Sequence, residues 1–128
     1  MARKSSKTLT DGELRLMEVL WELKTASVRD VVNALSDQEP VAYNTVQTML
    51  GILEAKGYLE HHKEGRAFVY APLVDRKTAR NSALKHFIGR FFDGSPQALV
   101  QNLIQDEDVD SIEIDRLRKL LQEEAKDD

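Results

Sequence analysis

The chain contains no cysteine among its 128 residues. This absence excludes disulfides, thiolate metal sites and cysteine nucleophiles. Long hydrophobic runs are also missing, since no apolar stretch approaches the roughly 20 residues that a bilayer span requires. The basic start MARKSSKTLT is followed by Asp11, Gly12 and Glu13 rather than by the apolar centre of a signal peptide. The sequence therefore predicts a cytoplasmic protein, outside the membrane, without sulfur chemistry.

Acidic residues outnumber basic ones, but unevenly along the chain. Residues 1–80 carry 12 Lys and Arg against 11 Asp and Glu, a balance of +1, whereas residues 81–128 carry 6 against 11, a balance of −5. An acidic tail is a poor surface for phosphate, while a near-neutral first part leaves room for a local basic patch. A nucleic-acid partner is therefore compatible with the first part only.

Three helices are predicted after a mobile basic arm at residues 1–8. Thr10 and Glu13 have the spacing of a capping box at the start of the first helix, and Ser27 is a good N-cap for the second. The third helix ends at Gly57. Its core-facing residues share one arc at helical spacing: Ala42, Val46, Met49, Leu50 and Leu53.

The pattern then changes to two β-prone runs, YLEHH and AFVYA, separated by KEGR, in which Gly65 suits a tight hairpin. Three further helices are predicted, from Asp75 to Phe92, from Ser95 to about Gln105, and from Asp110 onward. Ser95 and Pro96 are well placed as the N-cap and the first residue of the second of these helices. These last helices are too short and too charged to form a core of their own. The simplest partner for their apolar faces is a second copy of the chain.

Three helices followed by a hairpin are the element order of a winged helix-turn-helix, in which the third helix enters the DNA major groove. The face of the third helix opposite its core stripe is polar and, from Asn44 to Leu53, carries no charge, unlike an ordinary solvated helix surface rich in Glu and Lys. Short polar side chains of this kind can bind base edges. The predicted DNA-binding residues are Tyr43, Asn44, Thr45, Gln47 and Thr48 on the helix, with Lys63 and Arg66 on the wing.

The span LTDGELRLMEVLWEL…SVRDVVNAL…YNTVQTMLGILEAKGYLEHHKEGRAFVYAPLV resembles the penicillinase-repressor (BlaI/MecI/CopY-like) family of transcriptional repressors. The resemblance covers residues 9 to about 121, and NTVQTML, LEAKGYL and EGRAFVY occur in order at the family's spacing. It implies a homodimer that binds a palindromic operator through its winged helices and interlocks through its C-terminal helices. Asn44, Thr45, Gln47 and Thr48 fall in the family's recognition-helix motif, and Lys63 and Arg66 fall in its wing.

The chain departs from the family pattern in two respects. Gln47 and Ile52 stand where many members carry Lys or Arg, so a phosphate contact is absent and the operator sequence cannot be transferred. The cysteine metal motif of the copper-responsive branch is missing, which excludes thiolate copper sensing. The resemblance also implies regulatory proteolysis, with Asn102 and Leu103 at the matching place. The alternative, which the sequence favours, is a plain amphipathic helix with Leu103 as core and Asn102 as surface.

The sequence thus predicts a mostly α protein: a flexible arm at 1–8, a winged-helix DNA-binding domain at 9–73 and a helical dimerisation region at 74–128. No cofactor, metal or catalytic residue is predicted, because no nucleophile motif such as Gly-x-Ser-x-Gly exists and the adjacent His61 and His62 would point to opposite faces of a strand. The predicted dimerisation residues are Leu84, Phe87, Ile88, Phe91, Leu99, Leu103, Ile114, Leu117 and Leu121.

The expected phosphate contacts are few, so the affinity of each monomer for DNA should depend only weakly on salt concentration. They are Arg3, Lys4, Lys7, Lys63 and Arg66. The alternative function is a winged helix used for protein–protein interaction without sequence-specific DNA binding, since a fold alone does not fix function. The acidic net charge slightly favours that alternative, whereas the uncharged polar face beside a basic wing tip opposes it.

Overall fold

The computed structural model describes residues 8–126, which form six helices and three short strands. The elements in chain order are α1 (Asp11–Leu23), β1 (Ala26–Ser27), α2 (Val28–Leu35), α3 (Tyr43–Ala55), β2 (Leu59–Glu64), β3 (Ala67–Pro72), α4 (Arg76–Phe91), α5 (Pro96–Gln105) and α6 (Ser111–Lys126). The predicted mostly α winged-helix fold is confirmed. Arg3, Lys4 and Lys7 of the predicted basic arm lie outside the described residues.

Local capping explains where the helices begin. The Thr10 hydroxyl accepts from the Glu13 backbone N–H at 3.1 Å, and the Glu13 carboxylate accepts from the Thr10 N–H at 3.0 Å. Ser27 and Asp30 form the same reciprocal pair at the start of α2. Ser95 caps α5, with Pro96 in its first turn. The predicted caps at all three helices are confirmed.

The end of α3 directs the chain straight into the wing. Gly57 has a φ of 90°, and its N–H donates to the Glu54 carbonyl at 3.0 Å. The next N–H, of Tyr58, donates to the Leu53 carbonyl at 3.0 Å. This pair of bonds is a Schellman motif, which requires a left-handed residue that glycine supplies without a steric penalty. Strand β2 consequently begins only two residues after Gly57.

The sheet has three strands rather than the two-stranded ribbon predicted from the sequence. Its order is β1–β3–β2, and both pairings are antiparallel. In β1, Ala26 pairs with Tyr70 and Ser27 with Val69. Two residues are too few to show an alternating pattern, so β1 carries no periodic signal in the sequence. Its pairing ties the start of α2 to the wing.

The main core lies among the first three helices and the sheet. Its fully buried side chains come from every one of the three helices and from β2, and they include Leu16, Met17, Leu20, Val31, Leu35, Val46, Leu50, Leu53 and Leu59. Trp21 is half-buried at the edge of this core, and its indole N–H donates to the Val74 carbonyl at 2.8 Å.

The chain divides into two compact units between Leu84 and Lys85. The start of α4 belongs to the first unit, because the Arg76 guanidinium stacks over the Trp21 ring at 5.3 Å and pairs with the Glu18 carboxylate at 2.9 Å. This division lies eleven residues beyond the boundary at 73/74 expected from the sequence. The second unit contains the rest of α4 together with α5 and α6.

Candidate nucleic-acid interface

Helix α3 has one buried face and one exposed face. Val46, Leu50 and Leu53 are fully buried in the main core. The residues predicted to bind DNA lie on the other side, where Tyr43, Asn44, Thr45, Gln47 and Thr48 are all exposed. The core stripe thus fixes the rotation of α3, and an uncharged polar surface faces outward.

The wing tip is a tight turn between β2 and β3. Gly65 occupies it with a φ of 63°, a conformation that costs glycine little. Lys63 lies directly opposite Phe68 in the antiparallel register, and its ammonium is 6.0 Å from the centre of that ring. Lys63 and Arg66 are both exposed. The tip therefore presents two cations to solvent.

A histidine on β2 links the wing to α3. Nδ1 of His61 lies 2.7 and 2.8 Å from the two carboxylate oxygens of Glu54, in the last turn of α3. The His61 ring also packs against Phe68 and Tyr70, with centroid distances of 4.6 and 5.5 Å. Burial, followed by the negative charge of Glu54, raises the pKa of the Tyr70 hydroxyl. These contacts hold the wing at one orientation to α3.

The two adjacent histidines have separate partners. His62 contacts the carboxylate of Glu64 at 3.0 Å, on its own strand, whereas His61 contacts Glu54. Among the side chains that the structure describes, no group of three or more His, Asp or Glu residues is placed to hold a metal ion. The histidines act in the structure as partners of carboxylates.

A groove of about 220 Å³ separates α3 from the wing. Tyr43 and Gln47 line it from α3, Arg66 and Phe68 from the wing, and Arg29 from the first turn of α2. The Arg29 guanidinium stacks over the Tyr43 ring, 4.8 Å from its centre. The structure thus brings predicted residues of the helix and the wing to one groove.

Arg29 is a residue that the sequence reasoning missed. A signal was available, because a positive charge in the first turn of a helix opposes the helix dipole and does not stabilise the helix. A cation at such a position suggests a role outside helix stability. Its neighbours in the groove could not be found from the sequence, since Tyr43 is fourteen residues and Arg66 thirty-seven residues away along the chain.

The second unit leaves large apolar side chains exposed. Of the predicted dimerisation residues it buries Ile88, while Leu99, Leu103, Ile114 and Leu117 are half-buried. Phe87 and Phe91 are exposed and their rings lie 5.0 Å apart. Leu84 is exposed and is the last residue of the first unit, and the Leu121 side chain lies outside the described part. Further exposed apolar residues, absent from the predicted set, are Ile104, Ile112 and Leu120.

The predicted cleavage site lies in the body of α5. Asn102 is exposed and Leu103 is half-buried. No described residue of α5 is fully buried. The exposed Asn102 and the half-buried Leu103 have the burial expected of neighbouring residues on an amphipathic helix, and the backbone between them is helical.

The model of the family named penicillinase repressor matches residues 9–123. The chain belongs to the penicillinase repressor family. Membership makes it one of a family of transcriptional repressors, which are not enzymes. None of the helices described for this family member is long and apolar enough to cross a membrane.

Known relatives resemble the chain in both sequence and structure. The penicillinase repressor of Bacillus licheniformis is 35% identical over 115 residues, which is 90% of each chain. The solution structure of the DNA-binding domain of the repressor BlaI is 39% identical, with a TM-score of 0.53, and covers 59% of this chain and 93% of that one. The solution structure of monomeric Bacillus licheniformis BlaI in complex with the blaP half-operator is also 39% identical and gives a TM-score of 0.50 with the same coverage.

Proposed function

We propose that this chain is a cytoplasmic repressor that binds palindromic operators sequence-specifically as a homodimer. The observation that carries the proposal is the exposed, uncharged polar face of α3 beside a wing tip with two cations. The relative whose monomeric form was solved with a half-operator carries the same winged-helix fold. That relative supports DNA as the partner of this chain.

Residues of α3 would read bases, and residues of the wing would bind the backbone. The amide groups of Asn44 and Gln47 can each form a bidentate pair with adenine, a contact that contributes about 1–3 kcal/mol of discrimination. Thr45 and Thr48 offer hydroxyls to neighbouring base edges, with Tyr43 at the edge of the same face. Lys63 and Arg66 would neutralise phosphates, which positions α3 without specifying sequence.

The exposed apolar residues of the second unit support the homodimer. Among its described side chains Ile88 alone is buried, while Phe91, Ile112 and Leu120 are each more than half exposed. Apolar surface of this extent marks an interaction site rather than a monomer's free surface. A two-fold dimer would bind two half-sites in inverted orientation, so the operator would be palindromic.

Fluorescence anisotropy tests the reading function. Two labelled duplexes, one from upstream of the protein's own gene and one of scrambled sequence, are each titrated with protein. The proteins are wild type, the double variant Gln47→Ala with Thr48→Ala, and Gln101→Ala on α5 as a matched control. We expect wild type and control to prefer the upstream duplex and the double variant to lose that preference. Equal weak binding of wild type to both duplexes would contradict the proposal and favour the protein-interaction alternative.

Sedimentation equilibrium tests the dimer. Phe91→Glu places a charge in the exposed apolar surface and should shift the chain to a monomer, because burying an unpaired charge is strongly unfavourable. Gln105→Glu adds the same charge at an exposed polar position of α5 and should leave a dimer. A wild-type chain that sediments as a monomer at all concentrations would rule out the homodimer.

We also propose that cleavage between Asn102 and Leu103 relieves repression. The bond lies in α5, so this helix must open locally before a protease can bind it; the absence of fully buried residues in its described part supports a low cost of opening. Cleavage would separate α6 from the winged-helix domain and remove the avidity of paired half-site binding. Intact-mass analysis after β-lactam exposure of the native host would give two fragments, whereas an unbroken chain in derepressed cells would refute this regulation.

A further inference from the structure

The groove between α3 and the wing holds two guanidinium groups and no carboxylate. Arg29 and Arg66 both line it, with Tyr43, Gln47 and Phe68. Asp30, next to Arg29 in sequence, accepts from the Ser27 N–H at 3.0 Å, and Glu64, two residues before Arg66, contacts His62 at 3.0 Å. Two cations facing one space repel each other unless an anion lies between them. The groove therefore has the charge of an anion site.

Arg29 is held in place without being neutralised. Its guanidinium stacks on the Tyr43 ring at 4.8 Å, and among the side chains that the structure describes no carboxylate lies within ion-pair distance of it. A stacked guanidinium loses rotamer freedom yet retains its in-plane N–H donors for a ligand. Arg29 is thus a preorganised cation whose donors remain available.

The sheet joins this cation to the wing. Ser27 pairs with Val69 in the β1–β3 ladder, which fixes the first turn of α2 against the strand that follows Arg66. The groove of about 220 Å³ is large enough to hold a phosphate group. Arg29 and Arg66 can therefore approach one anion from two rigidly connected elements.

We propose that Arg29, stacked on Tyr43, forms with Arg66 a clamp for one DNA backbone phosphate in this groove. This inference rests on the proposed function, because the phosphate belongs to the DNA whose bases α3 reads. The planar guanidinium matches phosphate oxygens through two parallel N–H bonds. The clamp contacts backbone alone, so it sets the register of α3 without reading sequence. Tyr43 is a positioning residue for Arg29 in addition to its place at the edge of the reading face.

Salt-dependent anisotropy titration tests the clamp with the upstream and the scrambled duplex. Arg29→Gln should lower affinity for both duplexes about tenfold per bound subunit, and should reduce the slope of log K against log salt by about 0.9 per subunit. Arg29→Lys keeps the charge and should keep the slope while losing affinity. Arg118→Gln on α6, which removes an equal charge from an exposed site, should match wild type.

Tyr43 variants separate positioning from charge. Tyr43→Phe keeps the ring on which Arg29 rests and should therefore weaken binding less than Tyr43→Ala does. Tyr43→Ala removes the surface on which Arg29 rests and should weaken binding several-fold with an unchanged salt slope. Unchanged thermal unfolding of every variant checks that Arg29 and Tyr43, which are both exposed, do not act through stability.

The outcomes distinguish the clamp from the reading function. A salt slope for Arg29→Gln equal to that of wild type would overturn the clamp, and a loss restricted to the upstream duplex would overturn its assignment to phosphate. The wild type could bind the two duplexes equally while Arg29→Gln still reduces the salt slope on the scrambled duplex. That result would refute sequence-specific operator binding and would support the clamp. Absence of binding to either duplex would overturn both.

Discussion

A buried ion pair joins the start of α1 to the end of α3, and its removal should destabilise the first unit in a pH-dependent way. Nζ of Lys56 lies 2.6 Å from Oε1 of Glu13, and only 19% and 8% of the two side chains are exposed. The same Glu13 oxygen accepts from the Thr10 N–H, while Lys56 also donates to the Thr8 carbonyl at 3.2 Å. The pair therefore connects two helices of the winged-helix domain across 43 residues of sequence.

Lys56→Met should lower the free energy of unfolding at neutral pH by about 2–3 kcal/mol. Breaking a fully buried pair costs about 3–5 kcal/mol, because the remaining charge is left without a partner. Since Lys56 retains a fifth of its surface exposed, water can solvate part of the site, and the expected value lies at or below the lower end of that range. Met conserves most of the aliphatic volume, so the loss reports the charge rather than a cavity.

The pKa of Glu13 gives the sign of the pH dependence. Burial raises this pKa, but the hydrogen bonds from Lys56 and from the Thr10 backbone outweigh burial and hold it below the ordinary value of 4.5. The wild-type carboxylate thus stabilises the fold above pH 4.5, and this contribution is lost as the pH falls through the lower folded pKa. In Lys56→Met burial dominates and the pKa rises, so protonation relieves the penalty. The gap between variant and wild type should narrow on acidification.

Urea denaturation followed by the fluorescence of Trp21, the single tryptophan of the chain, measures both effects. The control is Glu13→Gln combined with Lys56→Met, which removes both charges and keeps an oxygen for the Thr10 N–H. This double variant should recover at least half of the loss. A loss below about 0.5 kcal/mol, within the range of ordinary surface substitutions, would refute the reasoning. So would a loss that is equal at neutral and acidic pH.

Three further predictions, made with four substitutions, test the fold of the first unit by the same denaturation assay. Leu50→Ala should cost about 2–5 kcal/mol because this side chain is fully buried, whereas Thr48→Ala on the exposed face should change stability little; equal effects would contradict the orientation of α3. Gly65→Ala should cost about 1 kcal/mol through its φ of 63° alone, because a Cβ there meets open space, and an unchanged midpoint would disprove a left-handed turn. Ser27→Ala should lower the free energy of unfolding by about 1 kcal/mol, because the hydrogen bond to the Asp30 N–H is lost. A loss of stability no larger than that of Thr48→Ala would argue against the cap.

The sequence by itself determined the elements whose signals are local. A cap acts within about three residues, and helical periodicity repeats within about four, so Thr10, Ser27 and Ser95 marked the helix starts correctly. The apolar arc of α3 likewise defined which side of that helix would be exposed, except at Ala42, which was predicted to face the core and is exposed because it is the N-cap, before the first turn of the helix. These properties depend on neighbours that are close in the chain, and a single sequence contains them in full.

Only the tertiary structure decided which distant residues meet. Strand β1 exists because β3 offers it a ladder partner some forty residues later, and two residues carry no period of their own. Arg29 joins Tyr43 and Arg66 in one groove because packing of α2, α3 and the wing on a shared core brings their surfaces together. Such proximity arises from the summed burial of many side chains rather than from any local preference, and it creates a charged groove that the sequence alone did not reveal.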